Sequence, residues 1–194
     1  MACEVHRHIR EKGVQLRLQS AVQAVQEEDG QLNVTLTDGS VQADMLILAI
    51  GVRPESELAK DAGIAVNERG AIVIDDHMRT SAASVYAVGD AVEVTDFVTG
   101  QKTFVPLAGP ANRQGRIAAD NICVYTGTQG SSIVKVFDLT VASTGVNEKT
   151  AKRLGLDYDK SFSFSASHAG YYPGAANMSI KTLFDTSTGK ILGA

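Results

Sequence analysis

The spacing of apolar residues changes several times along this chain, and each change marks an element. Cys3 to Lys12 has helix-forming composition and stops at Gly13, a residue type that readily ends a helix in the left-handed conformation. A short strand is expected over Val14 to Leu18. Leu32, Val34 and Leu36 then alternate with polar residues, Asp38-Gly39 offers a two-residue turn, and Val41 and Ala43 resume the alternation, the pattern of a β-hairpin. The run Met45-Leu46-Ile47-Leu48-Ala49-Ile50 is apolar on both faces and predicts a covered strand of a parallel sheet, ending at Gly51-Val52-Arg53-Pro54.

Ser56 is a capping residue type, so Glu57 to Ala62 reads as a short helix closed by Gly63. Ala71 to Ile74 and Val85 to Val88 predict short strands, the second running into Gly89-Asp90. Pro110 to Tyr125 has helical spacing, with Ala111, Gly115, Ala118, Ile122 and Tyr125 on one stripe. Thr126 to Ser132 is linker-like in composition. Beyond it, Ile133 to Phe137, Leu139 to Ala142, Ser161 to Ser165, Ser179 to Phe184 and Ile191 onward predict strands, with a helix over Glu148 to Leu154. The chain therefore starts as α/β and continues as α+β with a mostly antiparallel sheet.

Composition alters this picture at one point. The 18 glycines are never two apart, so no G-x-G occurs, and neither a dinucleotide fingerprint nor a Gly-rich phosphate loop is present in these 194 residues. Eighteen basic and 22 acidic residues give a net charge of −4, which argues against duplex nucleic acid and anionic membrane as partners. No apolar run approaches the roughly 20 residues that span a bilayer. The first residues are charged and have no apolar core of a signal peptide. Cys3 and Cys123 lie far apart without C-x-x-C, so no disulfide framework or dithiol motif is expected, and a cytoplasmic location is the default. Cys3, His6 and His8 lack a fourth ligand and read as surface residues, with no metal site expected. Cys123 reads as an inert buried thiol.

Asp90 is the first residue with a chemical reading. A carboxylate at the carboxyl end of a strand, just after a Gly, accepts hydrogen bonds from a hydroxyl-rich ligand such as a ribose or ribitol chain. The alternative is an ordinary Asp in a turn. The longer segment Thr80-Ser81-Ala82-Ala83-Ser84-Val85-Tyr86-Ala87-Val88-Gly89-Asp90 resembles the second FAD motif of the flavin-dependent pyridine nucleotide-disulfide oxidoreductases. Ile47 to Pro54 resembles the strand and Gly51 turn that lead from the NAD domain back to the FAD domain. Val105 to Arg116 resembles the segment whose helix begins near the flavin ring. The order and spacing of all three agree with the family.

The resemblance implies FAD and NAD(P)H as cofactors, with Gly51, Gly89, Asp90, Pro106, Leu107 and Ala108 at the cofactor. The physics of a helix start fits that role. Its unpaired N–H groups and roughly half a positive charge favour an anion, and a reduced flavin is anionic. Asn112 is implied to face the substrate; Asn112, Arg113 and Arg116 have the alternative reading of a solvated helix face. Past the linker, Val136 to Val146 and His168-Ala169-Gly170-Tyr171-Tyr172-Pro173-Gly174 resemble the dimerisation domain of the coenzyme A-disulfide reductase branch. There, Tyr171 matches the tyrosine presented to the partner subunit's redox cysteine. A phenol O–H is a sensible proton donor to a leaving thiolate. His168 is either a neighbour of the substrate or a surface hydrogen-bonding residue.

The resemblance divides the chain into the end of an NAD(P)-binding domain at 1–50, the returning part of an FAD-binding domain at 51–126 and the first part of a dimerisation domain at 131–194. It implies incomplete Rossmann-like portions followed by an antiparallel sheet, and a homodimer that reduces a disulfide or persulfide such as coenzyme A disulfide. Both G-x-G-x-x-G motifs and the redox cysteine of the family are missing from this sequence. The chain is therefore expected to be an internal portion of a longer reductase, inactive alone. An NADH oxidase or peroxidase of the same family is the alternative activity, and a non-catalytic dimerising module the alternative class.

Overall fold

The computed structural model describes residues 2–194, which fall into two compact units, 2–52 and 53–194. In the first unit, helix α1 (Ala2–Glu11) ends where the sequence places its stop, and Gly13 takes φ +80°. Strands β1 (Val22–Glu28), β2 (Gln31–Leu36) and β3 (Gly39–Ala43) form an antiparallel sheet in that order. The hairpin register pairs Leu36 with Gly39 and Val34 with Val41, so its turn residues are Thr37-Asp38, one position earlier than expected. Ala21 and Thr37 hold the turn against the chain preceding β1: each backbone N–H is bonded within the pair, Ala21 N–H to Thr37 Oγ1 at 3.1 Å and Thr37 N–H to the Ala21 carbonyl at 3.0 Å.

Two expectations fail in this unit. Val14 to Leu18 is not a strand, and neither is Met45 to Ile50, whose Ile47 is 79% and Ile50 88% exposed. The apolar pattern of 45–50 calls for neighbours on both faces, and no strand among the described residues pairs with it.

In the second unit, helix α2 (Glu57–Asp61) follows Ser56 and closes before Gly63 at φ +76°. Ser56 does not cap the helix; its hydroxyl donates to the Gly70 carbonyl instead. The expected strands 71–74 and 85–88 are reduced to single bridges, Ile72 with Val66 and Val92 and Tyr86 with Arg79. The small hairpin of β4 (Val94–Thr95) and β5 (Lys102–Thr103) follows. Ile74, Met78, Val92, Val94, Ile117 and Tyr125 form the core here, with Ile72, Ala87, Val105 and Ala118 packed around it. The Asp75 carboxylate organises the turn beneath that core. Burial pushes its pKa up, but the N–H groups of Arg79 and His77 donate to it and outweigh burial, so it lies below the ordinary value.

Helix α3 (Ala108–Asp120) starts two residues before Pro110 and stops at Asn121, which is left-handed at φ +50°. Ile122 and Cys123 therefore lie beyond the helix and are exposed, which corrects the expected apolar stripe and the expected buried thiol. The linker-like segment 126–132 is pinned. Thr128 N–H donates to the Thr95 carbonyl at 2.8 Å, and Phe97 N–H donates to the Thr128 carbonyl at 2.9 Å. Gly127, at φ +106°, is required there because a Cβ would stand 2.7 Å from the Thr95 oxygen.

The remaining residues match the expected antiparallel pattern closely. Strands β6 (Ser131–Val136) and β7 (Leu139–Thr144) form a hairpin. Helix α4 (Glu148–Leu154) is capped by Asn147, whose side chain accepts from Thr150 N–H at 2.9 Å. Strands β8 (Tyr158–Ala166), β9 (Asn177–Asp185) and β10 (Ile191–Gly193) form a sheet in the order β10-β9-β8. Val146, Ala151 and Leu183 are buried between α4 and that sheet, joined by Val98, Leu156, Tyr158 and Leu192. Glu148, at the start of α4, ties the helix to both long strands. Its carboxylate accepts from Lys160 Nζ at 2.7 Å and from Lys181 Nζ.

Candidate functional site

Gly89 and Asp90 end the bridged segment 85–88, and Gly89 takes φ +88°, a conformation that disfavours any side chain. Its ideal Cβ position lies 3.9 Å from the Ala111 Cβ, so this turn sits directly against α3. The contact is also polar: Gly89 N–H donates to Gln114 Oε1 at 2.7 Å. Gln114 is 1% exposed and donates through Nε2 to the Tyr125 hydroxyl at 3.4 Å, which is hydrogen-bonded in turn to Thr128 Oγ1. Sequence reasoning missed Gln114. Its signal was present, however, since Ala111 and Ala118 bracket it on the inner stripe of α3, where a polar residue needs a buried partner.

Asp90 itself is exposed, and among the described residues its carboxylate has no hydrogen-bond or ion-pair partner. An acceptor held on an ordered turn yet left unpartnered suits a ligand that brings hydroxyl donors. Pro106 and Leu107 lead into α3, and Ala108 is its first residue. No side chain caps this helix, and Pro110 has no N–H, so the first turn leaves the amides of Ala108 and Gly109 for an outside acceptor. The donor set therefore fits a flavin dinucleotide: carboxylate for hydroxyls, helix amides for an anionic ring edge. Asn112 lies on the exposed side of α3, with Arg113 and Arg116. Gly51 belongs to the first unit, exposed at φ +89° with open space around it.

His168 and Tyr171 share a different place, the loop 167–176 that joins β8 to β9. The base of the loop is closed by Ser167 N–H donating to the Ala176 carbonyl at 2.8 Å and Ala176 N–H donating to Ser167 Oγ at 3.2 Å. Its tip turns at Tyr172, whose N–H donates to the Ala169 carbonyl at 3.0 Å. Tyr171 is 85% exposed with its ring 4.9 Å from that of Tyr172, and its phenol has no hydrogen-bond partner among the described residues. His168 Nδ1 lies 3.1 Å from Ser167 Oγ. A fixed loop base with a free phenol at the tip presents that phenol outward.

Among the described residues, no group of three or more His, Cys, Asp or Glu is placed to hold a metal ion, and no helix is long and apolar enough to cross a membrane.

Comparison with known proteins places these two regions in one family. The pyridine nucleotide-disulphide oxidoreductase model matches residues 1–115, and the dimerisation-domain model of the same family matches 131–194. The NAD(P)H sulfur oxidoreductase (CoA-dependent) of Pyrococcus abyssi is 35% identical over 184 residues, 93% of this chain and 41% of that protein. Among solved structures, the reduced CoADR-RHD of Bacillus anthracis is 50% identical with a TM-score of 0.94, covering all of this chain and 35% of the other. An NAD-dependent persulfide reductase from A. fulgidus is 40% identical, also at TM-score 0.94, covering all of this chain and 37% of the other. The chain thus spans well under half the length of the relatives it matches. It belongs to the pyridine nucleotide-disulphide oxidoreductase family.

Proposed function

We propose that this chain supplies part of the cofactor site and part of the dimer interface of an FAD- and NAD(P)H-dependent disulfide reductase whose substrate is a disulfide or persulfide such as coenzyme A disulfide. In this reading, 1–50 is the end of the NAD(P)-binding domain, 51–126 the returning part of the FAD-binding domain and 131–194 the first part of the dimerisation domain. The observation that carries it is the free Asp90 carboxylate on a turn locked against α3, in a chain of this family. When bound, FAD supplies a two-electron acceptor for pyridine-nucleotide hydride.

The residues of this chain then have defined tasks. Asp90 accepts from ribitol hydroxyls, while Gly89 keeps the backbone bare enough for close approach. Pro106, Leu107 and Ala108 bring the start of α3 to the ring edge, and Gly51 turns the chain into the FAD domain. Tyr171 reaches across a homodimer to the partner's thiol chemistry. As a thiolate attacks the substrate disulfide, one S–S bond breaks, a new S–S bond forms, and the leaving thiolate takes the phenol proton of Tyr171, which recovers it from water. Asn112 and His168 flank the substrate. Such thiol chemistry suits a reducing cytoplasm.

Sulfur substrates are favoured because the relatives at hand are named for them, including coenzyme A disulfide reductases, although NADH oxidases are also among the relatives. FAD retention tests the cofactor assignment. The complete protein is expected to purify with flavin absorbance at about 450 nm, and Asp90→Ala is expected to lose most of it. An Asp90→Ala protein that holds FAD as firmly as its parent would remove Asp90 from the site.

A further inference from the structure

We infer that Gln114 is the positioning residue of the cofactor turn, the group that holds Gly89 and Asp90 in the shape that binds FAD. This rests on the assignment of Asp90 made above. Among the described residues, Gln114 is the side chain that hydrogen-bonds the Gly89–Asp90 turn, and the Asp90 carboxylate has no protein partner to orient it. The placement of Asp90 therefore comes through the backbone of the residue before it.

The chemistry of the pair fixes its direction. A peptide N–H only donates, so the Gln114 amide must turn its oxygen to Gly89 and its NH₂ to Tyr125. Tyr125 is 8% exposed and hydrogen-bonded to Thr128, whose own N–H is held by the Thr95 carbonyl. Gln114 is thus gripped at both ends of its amide. A buried amide with both ends engaged has one low-energy orientation, because rotating it by 180° would set its NH₂ against the Gly89 N–H, two donors facing each other. Mere core filling would be met by Leu or Met at this position, and it would carry no desolvation cost. The amide at 114 fixes a φ of +88° at Gly89 that the chain alone would leave free.

Four variants in the complete reductase test this, read by FAD dissociation constant and by amide hydrogen exchange at Gly89. Gln114→Met removes the acceptor, and Gln114→Asn is too short to reach. Both are expected to loosen FAD about tenfold, the scale of one buried hydrogen bond, and to speed Gly89 exchange. Gln114→Glu keeps an acceptor in either protonation state and is expected to bind FAD close to the parent. Tyr125→Phe removes the remote end of the chain and is expected to lower thermal stability while leaving Gly89 protected and FAD nearly as tight. A folded Met or Asn variant with parental FAD affinity overturns the proposal. So does a Tyr125→Phe protein that loses FAD as severely as Gln114→Met, since that outcome assigns Gln114 to stability alone. If the parent itself takes up no FAD, the cofactor reading has failed, and this inference falls with it.

Discussion

The backbone N–H of Gly89 and Oε1 of Gln114, 25 residues apart in the chain, are joined by a 2.7 Å hydrogen bond that seats the Gly89–Asp90 turn on α3. The glycine at this junction is required for its backbone angle rather than for space, because a Cβ would meet only Ala111 Cβ at an ordinary 3.9 Å. Gly89→Ala is therefore expected to cost about 1–2 kcal/mol from the positive φ alone, measured by urea denaturation. A cost near zero would mean that the turn relaxes to a negative φ.

Gly145 and Gly193 make the opposite case. They form an antiparallel bridge, and Gly193 comes so close to the other strand that its Cβ would lie 2.5 Å from Val146 N and 2.8 Å from the Thr144 oxygen. Gly193→Ala is expected to destabilise 131–194 by about 2 kcal/mol or more through forced backbone displacement. Thermal unfolding and loss of the β10–β9 pairing in amide exchange check it.

Acid lability follows from two carboxylates. Hydrogen bonding from Lys160, and then from Lys181, holds Glu148 at about 2 against an ordinary 4.5. The hydroxyl of Ser187, and then the hydroxyl and N–H of Thr188, hold Asp185 at about 2 against 3.8. A carboxyl whose folded-state pKa lies below its unfolded value contributes stability above the unfolded value and loses it as pH falls through the folded one. The stability these two carboxylates contribute is expected to be level above pH 4.5 and to fall between 4.5 and 2. Glu148→Gln is expected to be less stable at pH 7 and to show a shallower fall over that window in denaturant titrations.

Tyr171 is 85% exposed and has no hydrogen-bond partner among the described residues, so its hydroxyl does little for the fold. In the complete enzyme, Tyr171→Phe is expected to lower kcat with the sulfur substrate by roughly tenfold or more, toward the lower end of general-acid effects, with thermal midpoint unchanged. Tyr172→Phe serves as the control and is expected to leave turnover unaltered. Equal losses in both variants would point to the shape of the loop instead of the phenol.

Much of the fold is legible from local pattern, and the gaps have physical causes. The β2–β3 hairpin announces itself because alternation and turn residues lie within one segment, and β6, β7, β8 and β9 announce themselves singly as runs of strand-forming residues. Strand β1 is not announced: Val22-Gln23-Ala24-Val25-Gln26-Glu27-Glu28 has a broken alternation, and its pairing with β2 shifts register between Val22 and Ala24. The segment 45–50 reads as a covered strand because its composition depends on neighbours that the described chain does not place beside it. The end of α3 is misplaced because Ile122 and Tyr125 continue the apolar spacing after Asn121 has already turned the chain. At the site, long motifs single out Asp90 and Tyr171, which the structure leaves exposed and without a hydrogen-bond partner among the described residues. Gln114 is not singled out: its place between Ala111 and Ala118 marks a buried polar residue, but the partner it needs lies 25 residues away.

NAD(P)H oxidation under nitrogen, with coenzyme A disulfide as sole acceptor, tests the account most directly. The complete protein is expected to oxidise NAD(P)H with release of two thiols per disulfide, and the 194-residue chain alone, even with added FAD, is expected to show no turnover. NAD(P)H oxidation that proceeds only when oxygen is admitted, with no thiol formed, would contradict the disulfide assignment and make the protein an oxidase.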